Sequence, residues 1–147
     1  MCQVSDYRQL LAHLAGDYCV QSDWMATEKT RSMPVALAHG ITYTLPFLAL
    51  TRTPWRLAAI AGSHAVIDRY RLARYLCWAK NQLAPERHRY PWSHAGPTGY
   101  HSNSFAPYQH DQTDCTVSGK PDYLAVWLMI IADNSLHLLI NRRVLSR

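Results

Sequence analysis

Residues 63–80 read SHAVIDRYRLARYLCWAK, a stretch with an apolar first half and a basic second half. The apolar half carries His64 and Asp68, which are four residues apart. In a helix that spacing places both side chains on one face, one turn apart. The stretch therefore predicts a helix that presents an imidazole and a carboxylate together at the end of an apolar run.

The composition limits the classes of protein to which this chain can belong. Its length of 147 residues fits a single domain, 1–147. The net charge is +5, and charged residues make up only 17% of the chain, below the roughly 25% of average soluble domains. No CxxC pair, GxSxG, P-loop or Rossmann fingerprint occurs. The sequence therefore favours neither a zinc knuckle, nor a serine hydrolase, nor a nucleotide-cofactor enzyme.

Hydrophobic patterning predicts four helices, with one long interruption before the last of them. Pro34 and Pro54 suit the first turns of the second and third helices, and Pro46 is expected to kink the second. The interruption is rich in proline and glycine and shows no sustained period, which is typical of a loop. The predicted helices are residues 4–25, 34–50, 55–80 and 122–142, and the polar loop is 84–121.

Two of these segments are nearly free of charge and reach the lower length limit of a membrane span. Residues 34–50 contain no formal charge, and residues 123–140 contain only Asp133. The N-terminus lacks the pattern of a cleavable signal peptide. The sequence therefore predicts an all-α, four-helix membrane bundle, multi-pass in the inner (cytoplasmic) membrane and in contact with lipid. A helical bundle outside the membrane, with the same two segments buried, is the alternative.

The spacing of His64 and Asp68 recurs in two other predicted helices. Eight histidines and eight aspartates placed at random would give about one pair at this spacing. His39, with Tyr43 one turn on, adds an imidazole to the second helix. A further pair, His110–Asp114, lies in the loop and is interpreted as chance. The pairs within the apolar helices are His13–Asp17, His64–Asp68 and Asp133–His137.

Imidazoles and carboxylates on facing helices of a bundle are the side chains that build metal sites. Seven such groups are too many for one tetrahedral zinc, and they suit two divalent ions, zinc or manganese, about 3.5–4 Å apart. An aspartate, Asp17, Asp68 or Asp133, would accept a proton from the attacking water. The predicted metal ligands are His13, Asp17, His39, His64, Asp68, Asp133 and His137.

The position of other side chains relative to these pairs predicts whether they support the metal ligands or lie outside the centre. Gln21 and Asn141 continue the helical stripes and are expected to support the ligands by hydrogen bonds. In the alternative interpretation, each His–Asp pair is only a local hydrogen bond. The loop histidines lie among prolines and glycines and are predicted to be outside the centre. They are His88, His94, His101 and His110.

Four stretches together resemble one family. They are HLAGDYCVQSDWMA (13–26), AHG (38–40), GSHAVIDRYRLARY (62–75) and YLAVWLMIIADNSLHLLIN (123–141). They resemble domain-of-unknown-function family 3307, small proteins of phages and bacteria. The resemblance covers the four helical segments and not most of 84–120. It implies a small multi-pass membrane protein, often phage-encoded, with no established activity. A weaker similarity, in pattern only, links the chain to inner-membrane metal-dependent hydrolases.

These observations lead to one functional hypothesis and two alternatives. The hypothesis is a small integral membrane protein whose buried His/Asp centre binds metal and hydrolyses a lipid or a phosphoester. The first alternative is a non-enzymatic, phage-encoded membrane protein that modifies host physiology or excludes other phages, with a host membrane protein as partner. The second is a soluble basic module that binds nucleic acid through residues 69–80, although Arg71 and Arg74 are expected to contact headgroups instead. The oligomeric state stays open.

Overall fold

The computed structural model describes residues 6–86, 89 and 122–146, and the described chain is helical without a strand. The all-α part of the fold prediction is therefore confirmed. A π-helical segment, Ala15–Val20, follows the first α-helix, and a 3₁₀ turn, Pro46–Ala49, follows the third. The α-helices are α1 (Asp6–Leu14), α2 (Asp23–Glu28), α3 (Met33–Tyr43), α4 (Pro54–Tyr70), α5 (Ala73–Asn81) and α6 (Asp122–Leu145).

The chain divides into two compact units. The first unit comprises Met1–Leu72 and Asn134–Arg147, and the second comprises Ala73–Asp133. Helix α6 contributes residues to both units. Within the second unit, the Cys77 thiol donates a hydrogen bond to the Leu128 carbonyl at 3.9 Å, which ties α5 to the first half of α6.

The core of the first unit is small and draws on several elements. Tyr43, Phe47 and Ile60 are completely buried within it, and Ala12 of α1 and Leu145 of α6 complete the cluster. The cluster therefore contains residues of α1, α3, the 3₁₀ turn, α4 and α6. Burying apolar area of this kind contributes about 25 cal/mol per Å². This core therefore holds α3 and α4 against one another.

Glycine sets how closely the elements of the first unit approach. A Cβ added at Gly40 of α3 would lie 2.5 Å from the backbone oxygen of Ala61 in α4. A Cβ added at Gly16 would lie 2.5 Å from the Tyr43 ring. Neither position has room for a side chain. The backbone of α3 at Gly40 therefore packs directly against the backbone of α4, and the π-helical segment at Gly16 packs directly against the ring of Tyr43. This packing brings His39, next to Gly40, close to α4.

The prediction of a multi-pass inner-membrane protein is wrong. In the described part of the chain, no helix is both long enough and apolar enough to cross a membrane. The apolar segment 34–50 divides where Pro46 begins the 3₁₀ turn. Its α-helical part, α3, has 11 residues and spans about 17 Å, against about 30 Å of bilayer hydrocarbon. The second apolar segment is interrupted in α6 by polar residues. They are Asp133, Asn134, Ser135 and His137.

Two other predicted helices are also divided. The segment 55–80 breaks after Tyr70, because Arg71 takes a left-handed conformation with φ of 52° and closes α4. The backbone N–H of Leu72 then bonds to the Ile67 carbonyl at 3.0 Å, as in helix ends of the left-handed type. The segment 4–25 breaks before Ser22, whose side chain caps α2 by accepting from the N–H of Met25.

Most of the predicted loop lies outside the described residues. Of residues 84–121, the structure describes only 84–86 and 89. The four loop histidines fall in the remainder. Their predicted position outside the centre therefore stays a prediction.

Candidate metal centre

Asp17 enters the centre from the π-helical segment, whose wider turn is a feature often found at functional sites. Its Oδ1 atom lies 3.3 Å from His39 Nε2 and 3.2 Å from His64 Nε2. Its Oδ2 atom lies 3.3 Å from His13 Nδ1. One oxygen of this carboxylate therefore faces two imidazoles, and the other lies beside a third.

His39 of α3 and His64 of α4 form the buried middle of the centre. Their Nε2 atoms are 2.9 Å apart, and their side chains are 0% and 1% exposed. Two stacking partners orient the His64 ring: Tyr43, with ring centroids 3.7 Å apart, and His137, at 4.0 Å. Packing thus fixes the direction in which the Nε2 atom of His64 points.

Asp68 closes the arrangement from one turn beyond His64. Its Oδ2 lies 3.1 Å from His64 Nε2 and 3.4 Å from His39 Nε2. Its Oδ1 lies 3.5 Å from Nε2 of His137 in α6. Like Asp17, this carboxylate presents one oxygen to the His39–His64 pair and the other to a third histidine.

These separations are those of ligands around an ion. A tetrahedral ion with bonds of 2.0–2.1 Å has ligand atoms roughly 3.3–3.4 Å apart, and the four His–Asp contacts measure 3.1–3.4 Å. Asp17 Oδ1 is buried and accepts no hydrogen bond within the described residues. The nitrogen and oxygen atoms of Asp17, His39 and His64 therefore converge on a common point.

Two overlapping groups in the described chain could each hold a metal ion. In each group the ligand atoms lie within 4.8 Å of one another. The first group is Asp17, His39 and His64, and the second is His64, Asp68 and His137. Both contain His64, so they are parts of one centre.

Electrostatics favour the protonation states that metal binding needs. Burial alone would raise the pKa of Asp17, but the adjacent His39 and His64 imidazoles outweigh it and hold this pKa well below its usual range. The pKa of Asp68 is also held well below its usual range, because His137, His64 and Lys29 outweigh the effect of burial. Burial lowers the pKa values of His13 and His39. Ionised carboxylates and neutral imidazoles are the forms that bind metal.

His13, a predicted ligand, belongs to neither group because both of its ring nitrogens are occupied. Nδ1 lies 2.7 Å from the Tyr43 hydroxyl, and Nε2 lies 2.9 Å from Oδ1 of Asn134. Asn141, predicted as a support, donates to the same Tyr43 hydroxyl at 2.7 Å. His13 and Asn141 therefore support the centre through Tyr43 and Asp17.

Asp133 is the other predicted ligand that the structure leaves out of both groups. It is half-buried and lies in the second unit, whereas every member of the two groups lies in the first unit. Gln21, the second predicted support, makes no hydrogen bond to these ligands within the described part of the chain. Its Oε1 instead accepts a hydrogen bond from the Lys29 ammonium at 2.7 Å.

Lys29 is a charged neighbour of the centre that sequence reasoning missed. Its ammonium lies 2.9 Å from Asp68 Oδ2 and 3.4 Å from His39 Nε2. In the sequence it stands in a polar connector between two helices, where a lysine is ordinary. The sequence contains one signal for such a residue, the charge balance, because buried carboxylates need a nearby cation. Lys29 is the one basic residue at positions 21–30, between the segments that carry Asp17 and His39.

Comparison with known proteins identifies a family but no activity. The model of the family described as protein of unknown function, DUF3307, matches residues 7–112. No curated protein and no solved structure matches the chain. The matched residues include Asp17, His39, His64 and Asp68 and end before α6, so the predicted resemblance over 123–141 lies beyond them. Because the match covers more than half of its length, the chain belongs to the DUF3307 family.

Proposed function

We propose that this protein binds a divalent metal ion through Asp17, His39 and His64 and uses it to hydrolyse a phosphoester. One observation carries the proposal: the three ligand atoms lie 2.9–3.3 Å from one another in a buried site. Two imidazoles and one carboxylate suit zinc or manganese. Three protein ligands with a further open position are typical of catalytic zinc.

The overlap of the two groups favours one ion rather than two. The Nε2 atom of His64 has a single lone pair and faces both Asp17 and Asp68, so it can bind one ion only. Asp68 then lies beside that ion, because its Oδ2 contacts His64. His137 lies next to it, because it contacts the other oxygen of Asp68.

Asp68 is the residue best placed to act as the base. A divalent ion supplies a lowered pKa to the water that it binds, about 7 for zinc in favourable sites. The Asp68 carboxylate is ionised and presents Oδ2 to the side of the His39–His64 pair, where it can accept a proton. His137 orients Asp68 from its other oxygen, as His13 orients Asp17.

A structural metal site is the second candidate. Asp68 Oδ2 lies at a ligand–ligand distance from both imidazoles, 3.1 and 3.4 Å. If Asp68 is a fourth ligand, the coordination sphere of a zinc ion is closed, which is typical of structural sites.

The two candidates differ in the consequences of Asp68→Asn. With zinc or manganese added, we expect the wild type to hydrolyse the chromogenic diester bis(4-nitrophenyl) phosphate. Asp68→Asn should keep the metal and lose about 100-fold or more of the rate, since a general base contributes 10²–10⁴-fold. Asp17→Asn should lose both. If the wild type binds metal without turnover and Asp68→Asn loses the metal, the site is structural.

A further inference from the structure

The Lys29 ammonium lies beside the space that a metal ion would use. It lies within 3.4 Å of His39 Nε2, an atom of the first metal-binding group. It also lies 2.9 Å from Asp68 Oδ2, an atom next to that group. A dication bound to His39 and an ammonium this close to the same nitrogen would repel each other strongly at the low dielectric of a buried site.

The charges of the centre explain why the ammonium is there. Asp17 and Asp68 are ionised and almost fully enclosed, with side chains 11% and 3% exposed. Two carboxylates buried so close to one another are costly unless a cation compensates them. Lys29 supplies one compensating positive charge, and its own side chain is 17% exposed, so it lies at the side of the centre nearest the surface.

The chain around Lys29 is held in place, while its long side chain can move. Gln21 accepts a hydrogen bond from the ammonium at 2.7 Å. Arg69 donates to the backbone carbonyl of Thr30 at 3.0 Å and fixes the connector that carries Lys29. Four rotatable bonds separate this anchored backbone from the ammonium. The ammonium can therefore leave the centre without rearrangement of the helices.

We propose that Lys29 is a tethered cation that stabilises the metal-free centre and withdraws from Asp68 and His39 when a divalent ion binds. Lys29 thereby determines the affinity of the centre for metal: every binding event must displace it. The inference rests on the proposed metal site and does not depend on hydrolysis.

The test compares metal binding by Lys29→Gln and by wild type in calorimetric titrations with zinc chloride or manganese chloride alone. Glutamine keeps a polar side chain beside Asp68 and removes the charge. We expect Lys29→Gln to bind about tenfold more tightly or better, because the competing cation is gone. Lys80→Gln removes the same charge from an exposed position in the second unit and should bind like wild type.

Two further measurements guard against a variant that folds poorly. Without metal, Lys29→Gln should melt at a lower temperature than wild type, and added zinc should raise that temperature by more than it does for wild type. Gln21→Leu keeps the ammonium and removes its acceptor, and it should tighten binding by about threefold or more.

Equal or weaker binding by Lys29→Gln would overturn the inference and leave the metal centre standing. If neither wild type nor Lys29→Gln binds either ion, the metal centre itself is refuted. Binding by Lys29→Gln alone would support the inference in its strongest form.

Discussion

At the scale of single residues, the centre depends on how each carboxylate is shared. Asp17 and Asp68 each place one oxygen beside the His39–His64 pair and the other beside a supporting histidine. A supporting histidine of this kind fixes the orientation of a ligand, and its loss typically costs 10–100-fold in metal affinity. At the proposed metal site we therefore expect the affinity to depend on more residues than those that would touch the ion.

Asp17 and Asp133 are both predicted ligands, but the structure places only Asp17 in a metal-binding group, so the two give a matched test. Asp17→Asn removes a charged ligand from the first group, so we expect zinc affinity to fall by about 100-fold or more. Asp133→Asn makes the same chemical change at a residue outside both groups and should leave the affinity within about twofold. Calorimetric titration measures both, with circular dichroism as the check on helix content. A larger loss for Asp133→Asn would show that the ligand set is wrong.

Helical periodicity is the physical reason why part of this centre can be predicted from the sequence. The spacing of His64 and Asp68 predicts that both face one side of a helix, and the structure places both in the centre. The spacing of His13 and Asp17 cannot show which of the two faces the ion and which supports. Lys29 has no periodic pattern around it, so only its three-dimensional position reveals its role.

At the scale of helices, the centre requires the close approach of α3 and α4. Gly40 permits that approach, since any Cβ would meet the backbone of Ala61. The sequence predicts the location of α3 and α4 through Pro34 and Pro54, which lie in the first turns of these helices. It does not predict the break at Arg71, because a left-handed arginine replaces the glycine that usually marks a helix end.

Gly40→Ala and Gly62→Ala form a matched pair for this element. We expect Gly40→Ala to lower the free energy of unfolding by about 1–3 kcal/mol, because the added methyl forces the helices apart. A Cβ at Gly62, in the interior of α4, meets nothing within 4 Å. Gly62→Ala should therefore raise the free energy of unfolding by about 0.5–1 kcal/mol through helix propensity. Urea denaturation measures both, and equal effects would contradict the close-approach argument.

At the scale of the whole molecule, composition and periodicity predict the all-helical class but not its environment. Uncharged segments are typical both of membrane spans and of buried helices, and Pro46 and the polar residues of α6 decide against a span. The membrane-bound functions considered from the sequence lose that support. Within the described residues, the groups that could hold a metal ion are concentrated in one buried cluster.

That concentration predicts that the histidines of residues 84–121 are dispensable for metal binding. A variant with all four replaced by glutamine should retain one bound ion per chain, because the first group supplies three ligands by itself. Metal analysis after dialysis measures the stoichiometry. Loss of the ion from this variant would place at least one of the replaced side chains among the ligands. The histidines replaced are His88, His94, His101 and His110.

The central claim is that His39, His64 and Asp17 bind one divalent ion, and zinc-edge X-ray absorption tests it most directly. With one equivalent of zinc, we predict nitrogen and oxygen ligands at about 2.0–2.1 Å, two imidazoles and no sulfur. His64→Ala removes a member of both groups and should abolish this spectrum. A sulfur shell at about 2.3 Å, or an unchanged spectrum in His64→Ala, would contradict the claim.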